Sequence, residues 1–364
     1  MFEKVDCPMP EQKRKTLMIH CFVIEKRDGR IKARAVADGG SQQRYTEKET
    51  YSATVKLESI MLNVIINAYE GRHVVTVDIK GAFLKAKVPD HMDPIVKVSG
   101  DLMMLMYEMN PSLRSDNQQI LYLRCKKALY SHIEAARLFY DDLDHMLQQK
   151  LGLDQNMYDP CVYNRVEDKD KVTVRVHVDD IKISSCSKLQ LDKVVRELRE
   201  VYGEITEHVG IGHDYLGMIL SYHPDERKIS LNMKKYIGAC IEGFEEENNV
   251  QIKKVLTPAS SNLFKIRNDS EREILKEKHK SEFHSTVAKL LFVAKRGRPV
   301  ILLAESFLTT RVQNPDLDDW KELIRILGYL KETLDLELTI SCSSLDSLTW
   351  YIDGSYAVLL YILA

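Results

Sequence analysis

Three aspartates have the types and positions that phosphate chemistry needs. Asp78 closes the β-rich run His73 to Ile79, and Asp179-Asp180 sits between Val172–Val178 and Ile181–Ile183. Strand ends present side chains from a rigid base. Carboxylates from separate strands can hold two divalent cations about 3.5–4 Å apart, which activates an attacking oxygen and stabilises a leaving one. Oxygen ligands of this sort suit Mg²⁺, which also keeps waters and takes substrate phosphates. Taken singly, each aspartate reads rather as a solvated or capping turn acid. The combination of apolar strand, acidic pair and second apolar strand is more specific, because facing carboxylates repel unless a cation neutralises them.

The elements that must position these groups can be read from periodicity. Leu17–Ile24 and Ile31–Ala37 read as a hairpin around the turn Asp28-Gly29. Leu57 to Tyr69 places Leu57, Ile60, Met61, Val64, Ile65 and Ala68 on one helical face. His73–Ile79 is a strand, and Val172–Ser184 alternates as two strands meeting at the acidic turn. Lys126–Leu151, Leu189–Val201, Asn232–Phe244 and the stretch from Phe283 to about Thr333 read as helical. Tyr215–Ser221 and Lys228–Leu231 flank a His223-Pro224-Asp225 turn as a second hairpin. The charged segment from Glu245 to Lys280 is the linker candidate, and a new strand is expected near Leu348.

Composition narrows the class. The 364 residues suffice for two or three domains. Lys and Arg total 52 against 54 Asp and Glu, a net charge of −2, so any grip on nucleic acid must come from local rather than global positive charge. The seven cysteines form no CxxC pair, which argues against a disulfide framework or a structural zinc site. No apolar run reaches the ~20 residues of a membrane helix, and the N-terminus lacks the apolar core of a secretory signal.

Several motifs resemble those of copia-type retrotransposon reverse transcriptases, in that family's order. Val75-Thr76-Val77-Asp78-Ile79-Lys80-Gly81-Ala82-Phe83-Leu84 resembles the first catalytic motif, and His177-Val178-Asp179-Asp180 the Y-V-D-D hairpin. Lys32-Ala33-Arg34-Ala35-Val36-Ala37-Asp38-Gly39 is similar to the K-A-R-L-V-A-x-G motif, and Lys127-Ala128-Leu129-Tyr130 with Arg137 and Tyr140 to the K-A-L-Y-G…W-Y segment. Tyr215-Leu216-Gly217-Met218, Lys235-Tyr236-Ile237, Val287-Ala288-Lys289-Leu290-Leu291-Phe292 with Arg298-Pro299, and Leu327-Gly328-Tyr329-Leu330-Lys331 after Trp320 resemble the segments that follow.

The resemblance implies an α+β right-handed polymerase of fingers, palm and thumb with an antiparallel palm sheet, a helical connection and a truncated RNase H-like start. Expected boundaries are 1–186 for fingers and palm, 187–260 for palm end and thumb, 261–345 for the connection and 346–364 for the truncated strand. It implies RNA-directed DNA polymerase activity, with Asp78, Asp179 and Asp180 as catalytic and metal-binding residues for two Mg²⁺, and Mn²⁺ as substitute. Lys32 and Arg34 match positions that grip the triphosphate, and on a strand they share a face; without the family match they would read as a solvated hairpin face. Gly81 and Ala82 would let backbone approach the nucleotide. Phe83 would lie under the sugar and exclude a 2′-hydroxyl, a role compatible with a place in the core. Glu134 stands near a nucleotide-side position. Tyr215, Leu216, Gly217 and Met218 match the loop that holds the primer end, and Lys234 and Lys235 could contact backbone phosphates or simply be solvated. Implied partners are an RNA template, a DNA primer and deoxynucleoside triphosphates, with self-association or polyprotein partners and no membrane. The setting implied is cytoplasmic, in a virus-like particle, with the nucleus as alternative.

Departures from the family pattern favour a second reading, an inactive, degenerate remnant that keeps the fold and nucleic-acid binding. His177 replaces a tyrosine, Ser131 a glycine, Glu134 a glutamine and Ala136 a proline. Lys182 stands at a usually apolar position, either solvated or paired with the carboxylates. Leu348–Ala357 resembles an RNase H opening strand with Asp353 as its first carboxylate. The chain then runs into Val358–Ala364, so RNase H activity is expected to be absent.

Overall fold

The computed structural model describes residues 1–25, 29, 31–42, 50–114, 119–167, 169–350 and 352. They fall into two units, one of residues 1–63 and 72–209, the other of 64–71 and 210 onward. The first unit holds two sheets. Strands β1 (Phe2–Lys4), β2 (Leu17–Glu25) and β3 (Ile31–Ala37) precede helix α2 (Leu57–Tyr69), with α1 (Pro10–Lys15) between β1 and β2. Then come β4 (His73–Ile79), β5 (Ile95–Ser99), α3 (Gly100–Met109), β6 (Ile120–Cys125), α4 (Ala135–His145), β7 (Asp154–Gln155), β8 (Val162–Glu167), β9 (Asp170–His177), β10 (Asp180–Ser185), α5 (Lys188–Tyr202) and β11 (Ile205–Val209).

The five-stranded sheet runs β1-β6-β5-β2-β3. Its alternating apolar residues, among them Leu17, Ile19, Val96, Val98, Leu121 and Leu123, pack with Met103 and Tyr107 of α3. β2 and β3 form the expected antiparallel hairpin, from Ile19 opposite Ala37 to Glu25 opposite Ile31. Asp28 of its turn lies outside the described residues.

The six-stranded sheet runs β11-β4-β10-β9-β8-β7, antiparallel throughout. Side chains alternate across a strand, so Val75, Val77, Ile79, Val172, Val174, Val176, Ile181 and Ile183 bury one face against Leu138, Phe139 and Leu143 of α4 and Val194, Val195 and Leu198 of α5. The other face carries Thr76, Asp78, Thr173, Arg175, Asp180, Lys182 and Ser184. The Arg175 guanidinium reaches the Ile60 carbonyl of α2 at 3.3 Å, so the start of that helix lies over this polar face.

In the second unit β12 (Gly212–Tyr215), β13 (Met218–His223), β14 (Lys228–Asn232) and β15 (Leu338–Ser341) form an antiparallel sheet. With it go α6 (Lys234–Asn248), α7 (Glu277–Arg296), α8 (Leu302–Thr309) and α9 (Leu317–Glu332). α9 opens on a capping box in which Asp316 accepts from the Asp318 and Asp319 amides and Asp319 accepts from that of Asp316. Arg298 closes its other end, donating to the Thr333 carbonyl at 2.7 Å. No described helix is long and apolar enough to cross a membrane.

The structure differs from the sequence reading in five places. The helix expected from Lys126 begins only at Ala135, because Ser131 turns the chain with φ at +65°; the helix then ends in a π turn over Met146–Lys150. Tyr215–Ser221 is broken by Leu216 and Gly217, both at positive φ, into β12 and β13. The linker candidate is tied down. α6 continues to Asn248, the Val255 amide donates to Gly328, Ser260 bonds Glu322, and Arg272 pairs with Asp316. Leu348–Trp350 is irregular, and Leu338–Ser341 is the late strand; Asp353 lies outside the described residues. Lys182 is not solvated but fully buried.

Candidate active site

The acidic hairpin is as tight as a hairpin can be. Asp180 pairs in register with His177, leaving Val178 and Asp179 as a two-residue turn. Val178 has φ at +59°, where the first turn position of a II′ hairpin ordinarily takes glycine. A β-branched residue there is strained, and the strain is stored at the residue before Asp179. Asp180 also lies directly opposite Asp78 across β10 and β4. Two carboxylates so placed share the polar face of the sheet.

Tyr130 shows that Asp179 belongs to the same site. Burial raises its phenol pKa, Arg34 opposes that rise, and the charges of Asp179 and Asp78 add to it. Both carboxylates therefore act on one hydroxyl. The Arg34 guanidinium lies 4.6 Å from the Tyr130 ring centroid. Phe83 meets the same ring edge-on at 5.1 Å and Phe139 at 6.0 Å, so it contributes to the core and to the wall of the site. Gly81 takes φ of +66° to start the turn Ala82–Lys85, whose Ala82 is buried in the core. Lys32 is exposed on β3, two residues from Arg34. Among the described residues no three His, Cys, Asp or Glu side chains converge as a ready-made metal cage. Two carboxylates completed by substrate phosphates and water are the usual environment of Mg²⁺, and the residues fit that pattern.

The hairpin is anchored to the site by backbone. Ala37 donates to the Tyr130 carbonyl at 2.9 Å, and Val36 and Tyr130 form a parallel bridge. Gly39 then passes so close that a Cβ on it would sit 1.8 Å from the Ser131 carbonyl oxygen. Gly39→Ala is expected to cost about 3 kcal/mol or more, since a backbone oxygen cannot swing aside as a side chain can. Urea unfolding checks this; an unchanged midpoint would show that the contact yields freely.

Glu134 is placed differently from the other nucleotide-side candidates. It is buried, with Oε2 2.9 Å from His132 Nδ1 and 2.7 Å from Gln42 Nε2. Burial raises its pKa, but these hydrogen bonds outweigh it and hold the carboxyl below its ordinary value. It lines a cavity of about 720 Å³ with Thr16, Met18, Asp38 and Gln42. Tyr130 and Gly39 lie within the sequence motifs without being site candidates there. The signal was their fixed place in those motifs; their meeting across the chain is visible only in the fold.

The primer-side candidates all belong to the second unit. Tyr215 and Met218 are buried, and Leu216 and Gly217 form the turn between them. Lys234 pairs with Asp335 at 2.5 Å, and Lys235 extends to 3.9 Å from Asp214.

A family model described as "Reverse transcriptase (RNA-dependent DNA polymerase)" matches residues 1–259. The chain belongs to this family. Among curated relatives, the chain is 27% identical to the retrovirus-related Pol polyprotein from transposon TNT 1-94 of Nicotiana tabacum, over 89% of its length and 24% of that protein. It is 24% identical to the Pol polyprotein from transposon RE2 of Arabidopsis thaliana, over 90% of the chain and 21% of that protein. A putative transposon Ty5-1 protein of Saccharomyces cerevisiae is 26% identical over 64% of the chain and 71% of its own length. The chain thus belongs with the copia-type members of the family, and it spans about a quarter of the length of the tobacco relative. Among solved structures, a foamy viral protease–reverse transcriptase in complex with double-stranded DNA covers 95% of the chain and 47% of its own, at 13% identity and a TM-score of 0.43.

Proposed function

We propose that this chain is the polymerase portion of a retrotransposon Pol polyprotein, adding deoxynucleotides to a primer 3′ end along an RNA template. The observation that carries the reading is Tyr130, on which the charges of Asp78 and Asp179 and the guanidinium of Arg34 converge. Asp78 and Asp179, with Asp180 opposite Asp78, would hold the divalent cations. Bound there, Mg²⁺ supplies activation of the attacking oxygen and neutralisation of the leaving one. Arg34 and Lys32 take the charge of the incoming triphosphate on their shared face of β3. Phe83 and Tyr130 close the site beneath the sugar, where a ribose hydroxyl would meet a ring edge. The template, primer and nucleotide partners follow from this reading, as do the fingers role for β2–β3 and the palm role for the six-stranded sheet. The primer-side role of residues 215–218 and of Lys234 and Lys235 is likewise part of the proposal.

The remnant reading keeps its place for a specific reason. Buried Lys182 and left-handed Ser131 both cost folding energy beside the catalytic motifs. Primer extension on poly(rA)–oligo(dT) decides between the two. Mg²⁺-dependent incorporation that stops on chelation is the expected result. A folded, homogeneous preparation that extends nothing would leave the remnant reading standing.

A further inference from the structure

Arg296 is a cation with no counter-ion among the described residues. It ends α7, and its guanidinium carbon lies 3.6 Å from the Phe292 ring centroid. One guanidinium nitrogen makes a long 3.5 Å contact to the Phe292 carbonyl, and Nε is buried without an acceptor. Burial lowers its pKa and only the Tyr236 phenol opposes that; no carboxylate among the described residues contributes. A half-buried guanidinium in this state has lost hydration that the chain does not restore. Its position at the end of α7 beside Lys295 suits the helix dipole, which accounts for the charge but not for its place over the Phe292 ring.

The ring beneath it links three separate motifs. Phe292 packs on Tyr236 of α6 with ring centroids 4.8 Å apart and 30° between planes. Both rings back the turn at Gly217, where φ is +76° and a Cβ would stand 3.3 Å from Phe292 and 3.8 Å from Tyr236. The turn, the two rings and the guanidinium thus form one shelf. Beside it is a hollow of about 250 Å³ lined by Asp214, Gly217, Asn232, Lys235 and Tyr236.

We propose that Arg296 binds a backbone phosphate of the primer–template duplex, with the aromatic shelf holding its guanidinium edge toward the strand at the Gly217 turn. The proposal rests on the polymerase reading. A planar fork matches two phosphate oxygens, and stacking fixes its plane before the strand arrives.

The test uses the full chain and a fluorescein-labelled RNA–DNA hybrid, with binding read by anisotropy across a KCl series and no nucleotide present. Arg296→Gln is expected to weaken binding about five- to tenfold and to reduce the slope of log affinity against log salt by about 0.9, the loss of one phosphate contact. Arg296→Met, which keeps the apolar stem, gives the same slope change if the glutamine variant melts early. A slope equal to the parent's in both variants overturns the proposal, whether affinity is retained or lost, since a merely structural role leaves the slope alone. A parent chain that binds with the steeper slope but extends no primer would end the polymerase reading and leave Arg296 a phosphate ligand. A parent chain that extends primers while the variants keep its slope would do the reverse.

Discussion

Asp179→Asn is expected to lower single-nucleotide incorporation by about three orders of magnitude or more while the chain stays folded. Asparagine keeps the size of the side chain and removes the charge that would hold a cation. A cation bound to a phosphoryl site contributes several kcal/mol of transition-state stabilisation, and each 1.36 kcal/mol is tenfold in rate. Folding is spared because Asp179 occupies a two-residue turn outside the core cluster. Rapid-quench kinetics on a primed RNA template, with circular dichroism of the same samples, checks both halves. A variant that extends primers at the parent's rate would remove Asp179 from the metal site.

The second large effect concerns stability. Lys182 is fully buried in the centre of the six-stranded sheet, directly opposite Arg175, which is itself 1% exposed. Burial, and then the neighbouring guanidinium, hold the Lys182 pKa well below its ordinary value. The folded chain therefore holds the ammonium less favourably than the unfolded chain does. Lys182→Met, which keeps the stem's volume, is expected to raise stability by about 1–4 kcal/mol at neutral pH. The sign of the pH dependence follows from proton linkage. Between the lowered folded pKa and the ordinary lysine value near 10.5, the unfolded chain binds the extra proton, so this residue makes stability rise with pH across that window. The methionine variant should lose that rise. Denaturant midpoints from neutral pH to about pH 10 test it, and a variant less stable than the parent with the slope intact would show that the amine is accommodated in its charged form.

The parts of this fold that were legible in the sequence are those with strict local periodicity. β3, β4, β9 and β10 largely alternate and β2 is a mostly apolar run before a turn, so these strands and the acidic turn could be read directly. Residues 126–134 misled because an apolar and charged mixture without glycine or proline imitates a helix, while the turn is made by Ser131 in a conformation that its side chain does not advertise. Lys182 stays open in the sequence for the opposite reason. Its place on the strand was right, but its burial depends on Arg175 and on α2, which lies more than a hundred residues away in sequence. Tyr130 owes its importance to Arg34, Phe83, Asp78 and Asp179 arriving from three other segments. Gly39 shows the same limit, since its requirement for glycine comes from a carbonyl ninety-two residues on.

The match to the family ends at residue 259, but the second unit does not. β15 supplies the outer partner of β14 from residues 338–341, and the segment after α6 is fastened to α9. An expression fragment cut at the family boundary would therefore open a bare strand edge and strip the unit of α7, α8 and α9. Such an edge is a template for intermolecular pairing, so a recombinant product ending there should be recovered as insoluble material, whereas one carried past Cys342 retains the whole hydrogen-bonded ladder.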